Sequence, residues 1–110
     1  MSTYLSHHVQ TPATLAKLIA APEDRRAAIE PIFKGAGGSL LGFWYGVGGI
    51  DVYVLFEVPD DVVLTSVLTR VHASGAFSSV TTTRLLTMEE MLAALEGSAT
   101  TSCRPPGETG

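Results

Sequence analysis

The sequence has one cysteine, Cys103, so no disulfide can form within the chain, and a reducing compartment is expected. Charge is also scarce. Only 16% of the residues are charged against 45% apolar, a low share for a small monomer whose whole outer surface faces water. An apolar surface hidden between copies of the chain would account for the shortage. The few cations form no cluster beyond Arg25-Arg26, and the net charge is −4, which argues against a nucleic-acid partner. No apolar run approaches the length of a membrane span, and no basic segment followed by an apolar run marks a secretion signal. Paired cysteines, a dinucleotide fingerprint and a serine–histidine–acid spacing are all missing. The glycine-rich stretch GAGGS (35–39) follows a helical pattern and precedes a strand, the reverse of a phosphate loop. These absences lead to an expectation of a soluble cytoplasmic protein with no metal and no cofactor, in which any chemistry is acid–base work.

What is present is one domain's worth of chain, 110 residues, with clear periodicity. Residues 3–9 alternate loosely and read as a strand ending at Gln10-Thr11-Pro12. Leu15, Leu18, Ile19, Ile29, Ile32 and Phe33 fall at helical spacing. The spacing predicts a short helix, a break near Ala21 and a second helix opened by Pro22-Glu23-Asp24, with Pro31 bending or shortening it. Residues 39–47 form an aromatic strand, and Gly48-Gly49 a tight turn. The clearest strand is 50–58, with Ile50, Val52, Val54, Phe56 and Val58 on one face and Asp51, Tyr53, Leu55 and Glu57 on the other. A helix over 62–74, a threonine-rich strand over 77–86 and a capped helix from Thr87 to Gly97 follow. From Ser98 on nothing can anchor to a core, so residues 1–97 are expected to be the domain and 98–110 a disordered tail. The order β-α-β-β-α-β plus a terminal helix predicts an α+β, ferredoxin-like fold with a four-stranded antiparallel sheet. Both helices fall on one face. The other carries leucine and aromatic side chains, and a second copy is expected to close it.

The run GGIDVYVLFEVPDD, followed by VTTTRLLTMEEM, resembles the GYD-domain family of small bacterial proteins. The Gly-Tyr-Asp motif that names the family reads Gly49-Ile50-Asp51 here, so its tyrosine is replaced. The resemblance covers residues 1 to about 96 and implies a dimeric α/β barrel. Related barrels include cofactor-free monooxygenases, isomerases, cyclases and haem-handling proteins that use a cavity between sheet and helices.

Two neighbouring histidines, His7 and His8, are the first candidates for chemistry. On a strand they point to opposite faces, so they cannot chelate one metal together. Leu5, His7 and Val9 share the more apolar set, and Tyr4, Ser6, His8 and Gln10 the polar one. That parity places His8 on the open face with Trp44, Tyr53 and Glu57, as a catalytic residue or as a satisfied half-buried histidine. Glu57 either orients a histidine or binds a polar substrate group, or else closes a salt bridge at the sheet end. Asp51, beside a turn glycine, is expected to bind backbone. Of Trp44 and Tyr45 one faces the helices, and Arg84 suits an anionic group or an acidic partner. Together these make His8 and Glu57 the catalytic candidates, and Tyr4, Ser6, Trp44, Tyr53 and Arg84 the substrate-binding ones. Two functions fit. One is a cofactor-independent isomerase, cyclase or monooxygenase acting on a largely apolar, aromatic or polyketide-like metabolite within a homodimer. The other is a non-catalytic small-molecule-binding or stress-associated dimer.

Overall fold

The computed structural model describes residues 1–103 and 105–107. Its elements run β1 (Ser2–Gln10), α1 (Pro12–Ala20), α2 (Arg25–Gly35), β2 (Ser39–Tyr45), β3 (Asp51–Val58), α3 (Asp61–Ala73), β4 (Phe77–Leu85) and α4 (Met88–Ala99). The four strands form one antiparallel sheet in the order β2-β3-β1-β4, the ferredoxin-like arrangement expected from the sequence. The connection between β2 and β3 is tight because Gly48 and Gly49 take φ of 106° and 82°, a region that side chains disfavour. The helices start where their caps are. The side chains of Thr11, Asp24, Asp60 and Thr87 each accept a backbone N–H of the following first turn. The helix opened at Pro22 on paper begins instead at Arg25, because Asp24 is the capping residue. Pro31 lies inside α2 without ending it.

The core is the helix-side face of β3, where Val52, Val54, Phe56 and Val58 are buried with Tyr4 of β1 and Phe33 of α2. Phe56 packs its ring against both Tyr4 and Phe33, with centroids 5.6 and 4.7 Å away. Ile29 of α2 and Val63, Leu64 and Val67 of α3 complete this layer. The valine parity read from β3 therefore stands, except that Ile50 precedes the strand and is exposed.

The parity read from β1 is reversed. Tyr4, Ser6, His8 and Gln10, the polar set, are the buried ones, and Leu5 is exposed. The register decides this: His8 lies opposite Val52 and Ser6 opposite Val54, so they share the helix-side face, whereas His7 lies opposite Tyr53. Burial is tolerated because each of the four finds a partner inside: Tyr4 Oη donates to Asp61, Ser6 Oγ contacts His8 Nε2, and Gln10 Nε2 donates to the Gly49 carbonyl.

The last helix also differs from its expected end. It passes through Gly97 to Ala99, and the hydroxyls of Thr100 and Thr101 then donate to the Gly97 carbonyl and close it. The expected disordered tail therefore begins inside a helix, and it includes residue 104 and residues 108–110, which lie outside the described residues.

Candidate functional site

Two groups of polar side chains sit on opposite faces of the sheet, and the sequence-derived candidates divide between them. On the helix side, β1 places Tyr4, Ser6 and His8 in a row beneath α3. The phenol of Tyr4 donates to Asp61 Oδ1 at 2.5 Å, and this hydrogen bond, together with burial, raises the tyrosine above its usual pKa of 10. Ser6 Oγ and His8 Nε2 are 2.6 Å apart. The imidazole is 6% exposed, and burial, helped by the nearby His7 and His72, lowers its pKa from 6.5 to about 4. At neutral pH His8 is therefore uncharged, with Nε2 held by Ser6. Its other nitrogen, Nδ1, is buried and has no hydrogen-bond partner. The buried hydroxyl of Thr82, directly opposite Ser6 on β4, is likewise unpartnered.

Above this row, α2 and α3 diverge around a cleft of about 430 Å³. Ile29 and Ile32 line one wall, Val67 and Val71 the other, and Phe77 of β4 the floor. The Phe77 ring packs on the His8 imidazole with centroids 4.8 Å apart, so one aromatic side chain links the cleft to the buried histidine. Arg25 and Arg70 also border the cleft. Arg25 pairs with Glu23, whereas Arg70 enters no ion pair among the described residues. An apolar cavity edged by a cation and backed by a neutral imidazole suits a small, largely apolar molecule.

The open face carries the other group. His7 Nε2 donates to Asp51 Oδ1 at 2.7 Å, and the His7 ring stacks on Tyr53 at 4.7 Å and 10°. Asp51 thus binds a side chain across the sheet rather than backbone. Trp44, opposite Tyr53, folds its indole over Gly42, where a β-carbon would lie 2.2 Å from the ring. Tyr45 takes the helix side, opposite Val52.

This separation corrects the assembled site. Tyr4 and Ser6 do accompany His8, but Trp44, Tyr53 and Glu57 do not. Glu57 lies opposite Thr3, five residues along the strand from the position facing His8, about 17 Å away, and on the other face of the sheet. It cannot orient that imidazole. Arg84 lies opposite Tyr4 and donates from Nε and Nη2 to Ser2 Oγ at 3.3 and 3.2 Å, at the sheet end remote from the cleft. Sequence reasoning did not single out Arg70, Phe77 or Thr82. Phe77 carried the only advance signal, an aromatic residue opening the strand that follows α3.

No helix among the described residues is long and apolar enough to cross a membrane. Among those residues, no three histidine, cysteine or acidic side chains gather as a metal site. No curated protein matches the chain. The family model of the GYD domain matches residues 4–95, nearly the whole folded part, and the chain belongs to that family.

Proposed function

We propose that this GYD-domain protein is a small cofactor-independent enzyme that performs acid–base chemistry on a largely apolar molecule held between α2 and α3. The observation that carries this reading is His8: a buried, neutral imidazole with Nε2 fixed by Ser6 and Nδ1 unpartnered, packed behind Phe77, the aromatic floor of an apolar cleft. A neutral imidazole can accept a proton from a substrate C–H or O–H and return it elsewhere; its lowered pKa keeps it unprotonated at neutral pH and limits it to protons made acidic by the substrate's own chemistry. Arg70 would attract an anionic end of the molecule, and Thr82 would bond a polar group that reaches the sheet. The working unit is a homodimer closed through the open face, where Leu5, Trp44 and Tyr53 are exposed together. The depth of His8 favours a second reading, in which the same cleft sequesters its molecule without converting it.

The test is incubation of the protein with a small-molecule extract of its host, without added cofactor, followed by mass spectrometry. Compounds consumed by the wild type and untouched by His8→Gln would support the enzyme. Compounds retained unchanged by both would favour sequestration. Neither consumption nor retention would overturn the site.

A further inference from the structure

Among the described residues, helix α4 has no packing partner in its own body. No residue of this helix is buried, and it makes no extensive contact with any other element. The molecule measures 63 × 34 × 25 Å with a radius of gyration of 18.3 Å, whereas a compact chain of this length has about 13 Å. The long axis reflects a helix standing clear of the body. Yet α4 is well made, with a full capping box between Thr87 and Glu90. It also carries an apolar stripe. Met88, Met91, Leu92 and Leu95 follow the i, i+3, i+4, i+7 spacing of one face, and all four are exposed. A helix of 12 residues is marginal alone in water, so such a stripe needs a surface to cover it.

We propose that α4 is an exchanged arm, whose apolar stripe packs on the body of a second copy of this chain. The inference rests on the dimer read from the open sheet face, and area is what connects the two. Four strands of about eight residues offer a footprint of roughly 500 Å² per copy, about 1,000 Å² in all, the lower limit for a specific interface. Each arm, about 18 Å long and 10 Å wide, adds roughly 360 Å² counted on both surfaces, and two arms bring the total near the usual 1,600 Å². Charge selects the receiving surface. The arm holds Glu89, Glu90 and Glu96 and no cation, so packing two arms on each other would gather six carboxylates. The body, by contrast, offers Lys17 and Arg70 on its helices, cations that enter no ion pair among the described residues, while Arg25, Arg26 and Lys34 already pair with Glu23, Asp24 and Glu30.

The experiment is sedimentation equilibrium on the full chain, on Leu92→Glu with Leu95→Glu, and on Trp44→Glu. Glutamate keeps helix propensity close to that of leucine, and α4 supports nothing in its own body, so the arm variant should fold as the wild type does. Each buried leucine is worth more than tenfold in affinity, so the arm variant should dimerise at least about 100-fold more weakly. An unchanged dimer in the arm variant would overturn the arm and leave the sheet-face dimer standing. Loss of the dimer in the arm variant but not in Trp44→Glu would keep the arm and remove the sheet-face reading. A monomeric wild type would overturn both. A monomer whose melting temperature falls by several degrees in the arm variant would show α4 folding back on its own sheet, which also overturns the arm.

Discussion

The two faces of the sheet are made of opposite materials depending on which strand is followed. On the helix side, β3 contributes Val52, Val54, Phe56 and Val58, while its neighbour β1 contributes Tyr4, Ser6, His8 and Gln10. On the open side, β1 offers Thr3, Leu5, His7 and Val9, while β3 offers Asp51, Tyr53, Leu55 and Glu57. A buried face is therefore not the most apolar face of every strand. It is the face whose polar groups can be satisfied where they lie, and β1 meets that condition, His8 Nδ1 excepted, through Asp61, the Ser6–His8 contact and the Gly49 carbonyl. The interior of this protein combines a hydrophobic half along β3, covered by α2 and by Val63, Leu64 and Val67 of α3, and a polar half along β1, and the functional candidates belong to the polar half.

The hydrophobic half should show the largest effect. Phe56 is 1% exposed and packs on two rings, so Phe56→Ala should cost about 3–5 kcal/mol in urea unfolding. Leu5→Ala on the open face should cost a small fraction of that in the isolated monomer. Similar losses at the two positions would erase the distinction between the faces.

The polar half has a pH signature. The unfolded chain protonates His8 near pH 6.5, whereas the folded chain does so only near 4. Between those values the unfolded state binds the extra proton, so stability falls as pH drops through the window and is unaffected above about 7. The full difference is about 3 kcal/mol below pH 4. His8→Leu should remove that contribution, seen as a flatter stability–pH profile between 6.5 and 4 than the wild type gives. Identical profiles would place the imidazole in contact with water.

A smaller effect is expected at Tyr4. Tyr4→Phe keeps the ring packed on Phe56 but deletes the donor to Asp61, at a cost of about 1–2 kcal/mol in thermal or urea unfolding. No loss would mean that Asp61 is satisfied by solvent.

The fold could be read from the residues because strong local signals agreed. The strict alternation of β3, the glycine pair at 48–49 and the capping box at Thr87 each describe a few neighbouring positions. The site could not, because it depends on register between strands far apart in sequence. That Tyr4, Ser6 and His8 share a face follows from β1 alone. Which face they share follows from His8 lying opposite Val52, a pairing that no periodicity within residues 2–10 encodes. The weak apolar excess of Leu5 and Val9 pointed the wrong way, since a hydrogen-bonded polar row inside costs little. Phe77 and Arg70 were overlooked for the same reason. They matter only because α2, α3 and β4 converge on one cleft.

The smallest effect should come from the pair that looks most like a catalytic dyad. His7 and Asp51 are joined at 2.7 Å, but their side chains are 38% and 35% exposed, and water screens the interaction. Asp51→Asn should therefore change the monomer's stability by no more than about 1 kcal/mol, and by less at high salt. Its consequence should appear instead in association, because the face that carries it is the one proposed to meet a second copy. Covering the pair removes the screening, and one partner left unmatched in a dry interface costs far more than the same loss in water. A dimer dissociation constant raised at least about tenfold by Asp51→Asn, with monomer unfolding unchanged, is the expected result. A monomer destabilised by several kcal/mol would make the open face part of the core, and the contrast between the two faces would fail at the position that names the family.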